Sequence, residues 1–440
     1  MSGFSYLRGF FTAMMRVRPT IEFTFFSTEL RLTVRTTTGL TTTLSTDDGS
    51  ADAFIGEINK TYPNASRRTC GISIAQPETV DLLTIRSGGV VSLNGDEGIA
   101  DFSAFRNLVA AALNGSKCTT FKANFQYSLD IDGTDCYDQI LDVTEVNASQ
   151  IRAGNSNCTS VGWPINAPGL SEIVLNGNRI AYPQVLPPMP SLSALYIANN
   201  GLTGGAGLGL LDLRNVPGLQ RLEARESRIN DIKTAPGSNL TFLNIIYCNF
   251  SLALNGVPGR PGSLPELVAN CRGLQQFQAY AAGINRATAE GIFDVLLADD
   301  AGRARCQFLT GLGNVNDHWL SAGSITRSAR ANESIVTAAA RTKLDQIRAL
   351  GHYYEQNLPV FNVVILSDTS VRIDLISSDD DVTMWQVGDV INCHQSFNPD
   401  LMNQGDHTVL SGSGKRWVIS NVKGYAGFIG NTGYGLFDRK

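Results

Sequence analysis

Between residues 170 and 284 the chain repeats one pattern of apolar and free positions. It runs apolar, two free, apolar, one free, apolar, two free, small or Asn, one free, apolar. The copies span 170–180, 192–202, 219–229, 240–250 and 274–284. Apolar residues alternating across positions four to six predict a short strand in each copy. Repetition at this period predicts a solenoid, in which each unit buries its apolar side against its neighbours. A further copy at 80–90 and two looser ones at 118–128 and 141–151 carry the run towards the N-terminus.

The flanks follow other periods. From Thr20 to Ala75, stretches such as TIEFTFFS, LRLTVRTTT and LTTTLST alternate, are rich in β-branched residues and predict strands. The stretch 102–113 reads as an amphipathic helix inserted between repeats. Beyond Ile284, residues Ile292, Phe293, Leu296 and Leu297 share one helix face, with Thr288 near the start. Ile335, Val336, Ala339, Leu344, Ile347 and Leu350 form the stripe of a second helix over about 333–350. Together with a strand near Phe308 they predict a helical cap at 285–356, because an open solenoid end exposes its core. From Leu358 onwards alternating runs return between Gly, Asn and Asp turns. The expected organisation is an arm at 1–19, a β-domain at 20–79, a repeat solenoid at 80–356 and a second β-domain, sandwich or barrel, at 357–440.

Composition narrows the function classes. The net charge of −5 over 440 residues argues against nucleic acid as the main partner. No run of about twenty apolar residues exists, so no membrane insertion is expected. The first twenty residues carry Arg8, Arg16 and Arg18 around a short apolar patch without a small-residue cleavage site, so synthesis in a cytoplasm without signal-peptide processing is expected. Eight cysteines are scattered without C-x-x-C spacing, which removes zinc and thioredoxin readings. Two readings stay open for them: buried reduced thiols, or one disulfide joining Cys118 to Cys136 or Cys136 to Cys158.

The repeated sentence L-x-x-L-x-L-x-x-N/C-x-L resembles that of leucine-rich repeat proteins, of the irregular kind found on bacterial surfaces and in bacteriophages. The closing pieces INRATAEGIFDVLLAD, FLTGLGN and AAARTKLDQIRALGHYY are similar to the ending of that group. Asp48, Gly49, Ser50, Thr61 and Tyr62 resemble the PKD-type immunoglobulin-like sandwich. The run from Trp385 to Val422 looks like small β-modules of phage tail proteins. The resemblance implies an α/β solenoid of irregular leucine-rich repeats flanked by two all-β domains. It brings no catalytic residues and no cofactor.

Enzymatic signatures are missing from the sequence. The four histidines, His318, His352, His394 and His407, sit in no metal-binding or catalytic frame, and no nucleophile elbow or Walker loop occurs. Asp130, Asp132 and Asp135 around Gly133 resemble part of a calcium loop, but the distal Glu is absent and a solvated turn between repeats is the preferred reading; no metal is assigned. The sharper expectation is a concave partner face. Alternation points the third, fifth and seventh positions of each copy outward. These positions supply Glu172, Tyr196, Arg221, Glu223, Arg225, Phe242, Asn244, Gln276, Gln278 and Tyr280. Aromatic and Arg side chains mixed with amides suit a protein partner.

The expected function is therefore that of a non-enzymatic bacteriophage virion protein, in the tail, baseplate, fibre or capsid decoration. Its partners would be other virion proteins or a host-surface receptor, and a homo-oligomer is expected because virion proteins assemble with symmetry. The competing expectation is a bacterial cell-surface adhesin built on the same repeats.

Overall fold

The computed structural model describes residues 21–440 except 87–88, 95, 106, 125–126, 138, 182, 201–208, 228, 249, 251–261, 281, 311–337, 355–359, 367–369, 376–386, 388–389, 397–404, 414–415, 421–431 and 440. The 1–19 arm therefore lies outside the described residues. Among the described residues the protein is mostly β, 44% strand against 11% helix. Among the described residues there are three α-helices and 29 strands, of which 20 fall in one mixed sheet, three in a small parallel sheet and the rest in a closed barrel. This overturns the expected α/β solenoid of leucine-rich repeats between two separate all-β domains. The physical reason lies in the return segments. Many of those linking one copy of the pattern to the next are extended and pair with each other as strands, where an α/β repeat places helices. The chain divides into two units, 1–181 with 186–205, and 182–185 with 206–440.

In the first unit, β1 (Ile21–Thr36) and β4 (Gly56–Ile74) make a long antiparallel pair with a bulge between Ser27 and Glu29. β2 (Thr42–Thr46) adds to β4, and β3 (Ala51–Phe54) to β2. Alternation buries Phe23, Phe25, Leu30, Leu32 and Val34 on one face of β1. The Asp48–Ser50 motif is a tight turn: Asp48 accepts the Ser50 N–H at 2.9 Å and the Thr46 hydroxyl, which brings its carboxyl down to about 2. No separate immunoglobulin-like sandwich forms. β1 runs on to pair antiparallel with β5 (Val80–Arg86) and β6 (Val90–Leu93). The first strands of a parallel stack would otherwise show open edges, and β1 covers them.

Two parallel ladders follow. One stacks β5, β8 (Ala110–Ala112), β10 (Ser128–Asp130), β12 (Gln150–Arg152), β14 (Glu172–Val174) and β16 (Ala194–Tyr196). The other stacks β6, β7 (Ile99–Asp101), β9 (Thr120–Asn124), β11 (Ile140–Asn147) and β13 (Ser160–Gly162). The loose copies at 118–128 and 141–151 thus begin on the second ladder, out of register with 170–180. The stretch 102–113 is not a helix. Ala110–Ala112 is a rung between β5 and β10, and pairing with two neighbouring strands overrides alanine's strong helix propensity.

The interior is built in columns. Ser116, Thr134, Ser156, Asn178 and Asn200 are stacked and buried, with Cys118, Cys136 and Cys158 beside them. The Cys136 thiol donates to the Cys118 carbonyl at 3.6 Å, and the Cys118 thiol to Val90 at 3.8 Å. All seven described cysteines are free, so the disulfide reading is set aside. Between strand and buried column each turn takes up a left-handed residue: Asn155 at φ 52, Gly177 at 71 and Asn199 at 57.

The second unit continues in a different style. β18 (Arg221–Glu223), β20 (Phe242–Asn244), β21 (Gln276–Gln278), β22 (Gln307–Leu309) and β23 (Tyr353–Tyr354) form a parallel ladder. β15 (Gln184–Val185), β17 (Gly209–Asp212) and β19 (Ile229–Lys233) form the small parallel sheet. Helices α1 (Ser263–Asn270), α2 (Arg286–Ala298) and α3 (Ala338–Ala349) occupy later connections. α1 lies just past a Pro- and Gly-rich stretch that gave no helix signal. Asn285 caps α2 by accepting the Thr288 N–H at 2.8 Å. The buried Arg303 donates to the Val268 carbonyl at 2.7 Å in α1 and to the Asp299 carbonyl at 3.1 Å after α2, closing two helix C-termini with one cation. Phe277, Phe308 and Tyr354 stack inside, with centroids 5.3 and 5.8 Å apart. Also in this unit, β24 (Val360–Ile365), β25 (Ser370–Leu375), β28 (Arg416–Ser420), β27 (Gly405–Ser413), β26 (Val390–Ser396) and β29 (Thr432–Arg439) close an antiparallel barrel in that order. Closure leaves no strand edge.

Candidate functional site

The third and fifth positions of each copy are the outer residues of a short ladder strand and are half-exposed on either side of a buried centre, except Asn244, which was expected to point outward and is buried. In the first unit this places Arg152, Glu172 and Tyr196 on one face. Arg152 Nη2 lies 3.0 Å from Glu172 Oε1. A serine ladder rivets the coils along one edge: Ser171 Oγ donates to the Ser149 carbonyl and Ser193 Oγ to the Ser171 carbonyl, both at 3.0 Å.

The acidic run sits in a turn of the same unit. Asp130 Oδ1 accepts from Asn114 Nδ2 at 2.8 Å and from the Asp132 N–H at 3.2 Å. Asp132 Oδ1 accepts the Gly154 N–H from the next coil, while burial raises its carboxyl above the ordinary value. The Asp135 N–H donates to the Ser116 carbonyl at 2.6 Å. Asp130 and Asp132 act as coil-to-coil clamps. Among the described residues no group of three or more His, Cys, Asp or Glu is placed to hold a metal ion.

In the second unit parallel register sets residues into rows. Arg221, Phe242, Gln276, Gln307 and Tyr353 occupy one row across five strands, and Glu223, Asn244, Gln278 and Leu309 the next. The Arg221 guanidinium lies 3.9 Å from the Phe242 ring centroid and pairs with Glu223 Oε1 at 2.5 Å. Asn244 Nδ2 donates to the other Glu223 oxygen at 2.8 Å. Three side chains expected on this face thus form one network that fixes the Phe242 end of the row. Arg225 is exposed and Tyr280 half-exposed, both in the turns that follow their strands.

Beside the row runs an open groove of about 480 Å³, lined by Thr241, Phe242, Gln275, Gln276, Ala304, Arg305 and Gln307. A neighbouring groove of about 470 Å³ meets it at Thr241. Arg305 is held at the rim by both oxygens of Asp300, whose carboxyl this pairing lowers. Gln307, Tyr353 and Arg305 escaped the sequence reading. β22 and β23 lack the full eleven-position pattern, and their usable signal was the interior one: Phe308 and Tyr354 continue the aromatic column begun by Phe277.

No protein-family model matches the chain, and no curated protein matches it.

Proposed function

We propose that the chain is a non-enzymatic binding and assembly protein of a bacteriophage virion, in the tail, baseplate, fibre or capsid decoration. It attaches the particle to a host surface or joins neighbouring virion proteins. The observation that carries this reading is the row Arg221, Phe242, Gln276, Gln307 and Tyr353. Its side chains stand in fixed register on a rigid ladder, and the Arg221–Glu223–Asn244 network holds one end before any ligand arrives. Such pre-organisation lowers the entropy lost on binding. The likeness of the C-terminal run to phage-tail modules supports the virion setting, and copies of the chain are expected to associate symmetrically.

Mass spectrometry of purified particles from cultures that produce the chain tests this reading. The expected result is several copies per particle. Recovery from the bacterial envelope, with none in particles, would overturn the virion reading in favour of a cell-surface adhesin.

A further inference from the structure

We infer that the row from Phe242 to Tyr353, with the groove beside it, is a binding site for a neutral oligosaccharide. The inference rests on the attachment reading above and names its ligand class.

The argument begins with the spacing. Phe242, Gln276, Gln307 and Tyr353 are direct neighbours on four successive parallel strands. Two aromatic side chains therefore stand three strand spacings apart, about 14 Å, with two primary amides between them. Tyr353 is 50% exposed, so its ring is offered to solvent. Neither the Gln276 nor the Gln307 side chain takes part in a hydrogen bond among the described residues. Each amide holds a carbonyl acceptor beside two N–H donors. A pyranose ring presents the matching chemistry: a C–H face that packs on an aromatic ring, and adjacent hydroxyls that both give and accept hydrogen bonds. The span suits a chain of about three sugars.

Charge selects a neutral ligand. The two cations near the row are already neutralised, Arg221 by Glu223 and Arg305 by Asp300. The groove is also open and lined largely by amide and hydroxyl side chains. This open, amide-rich lining suits a hydroxyl-rich ligand better than a protein partner, whose main anchors sit in desolvated pockets.

The test titrates the full chain with neutral trisaccharides of glucose, galactose, mannose and N-acetylglucosamine, followed by calorimetry and saturation-transfer NMR. At least one is expected to bind. The double variant Gln276→Ala with Gln307→Ala, and separately Phe242→Ala and Tyr353→Ala, should each weaken that binding by about tenfold or more. Gln150→Ala, on the ladder of the first unit, should leave it unchanged. Gln307→Glu is exposed and nearly isosteric, keeps the fold and is expected to weaken binding to the same extent. Absence of binding across the panel, or binding that survives the double amide variant, overturns the inference; so does occupation of the row by a protein while no sugar binds. A chain present in particles but blind to the sugars loses only this inference. A chain that binds them but is absent from particles loses only the virion reading.

Discussion

His352 accepts the backbone N–H of Cys306 through Nδ1 at 3.1 Å, which leaves Nε2 to carry the proton towards Asp300 Oδ1 at 3.3 Å. The ring is buried, and it ties the last ladder strand to the segment that enters β22. Burial holds the imidazole below its ordinary value; the nearby Arg305 and Arg303 add to this, and Asp300 opposes it. Charging the ring would also cost the acceptor that binds Cys306.

The pH dependence follows from that lowered value. Between the folded pKa and about 6.5 the unfolded chain binds more protons than the folded one, so stability rises with pH across this window. It is fully present above about 6.5 and is lost as the pH falls through the folded value. Urea midpoints measured at pH 7.5, 6 and 5 are expected to decline in that order. His352→Asn keeps an acceptor for Cys306 without a titrating ring and should flatten the decline. An equally steep decline in the variant would assign the effect to other groups.

Asn178 binds two coils at once. Its Nδ2 donates to the Ala153 carbonyl at 2.8 Å and the Leu175 carbonyl at 2.9 Å, and its Oδ1 accepts the Ser156 N–H at 2.9 Å. All of this is buried. Asn178→Ala leaves backbone groups in the interior without partners and should cost on the order of 2–4 kcal/mol, measured by urea unfolding. A loss within about 0.5 kcal/mol, the range of ordinary surface substitutions, would show that water replaces the amide there.

Cys118, Cys136 and Cys158 stand in a buried column, and burial pushes each thiol up to about 12. At pH 8 they hold on the order of a thousandfold less thiolate than a free cysteine. Iodoacetamide should leave all three unmodified in the folded chain and alkylate all three in urea. Rapid alkylation of any one in the folded state would place that coil open to solvent.

These columns show what was legible in the sequence. Leu170, Ile173, Leu175 and Ile180 announce one coil because burial imposes a fixed apolar spacing, and the strand falls at Glu172–Val174. The outward residues Arg221, Phe242 and Gln276 followed by alternation. The return path was not legible. Val161 and Leu211 sit in strands of three and four residues, too short to show a period. Ala110–Ala112 carries an intrinsic preference for helix that only the neighbouring rungs override. Gln307 and Tyr353 join the candidate site through register alone, after long connections that hide the repeat.

The left-handed turn of each coil yields the last prediction. Gly177 fills that position at φ 71, whereas Glu226 fills it at φ 56. A side chain with a Cβ pays about 1–2 kcal/mol to stand there. Glycine avoids this but loses about 0.5–1 kcal/mol through the freedom of its unfolded chain. Glu226→Gly should therefore stabilise the second unit by roughly 0.5–1 kcal/mol. Gly177→Ala should do the opposite in the first unit, since the added Cβ would stand 2.2 Å from Asn155 Oδ1 as well as in the strained region. That clash adds to the backbone term, and the expected loss is about 2 kcal/mol. Urea unfolding of both variants beside the parent reads the two signs. A destabilised Glu226→Gly would mean that the Glu226 side chain contributes more than its backbone strain costs.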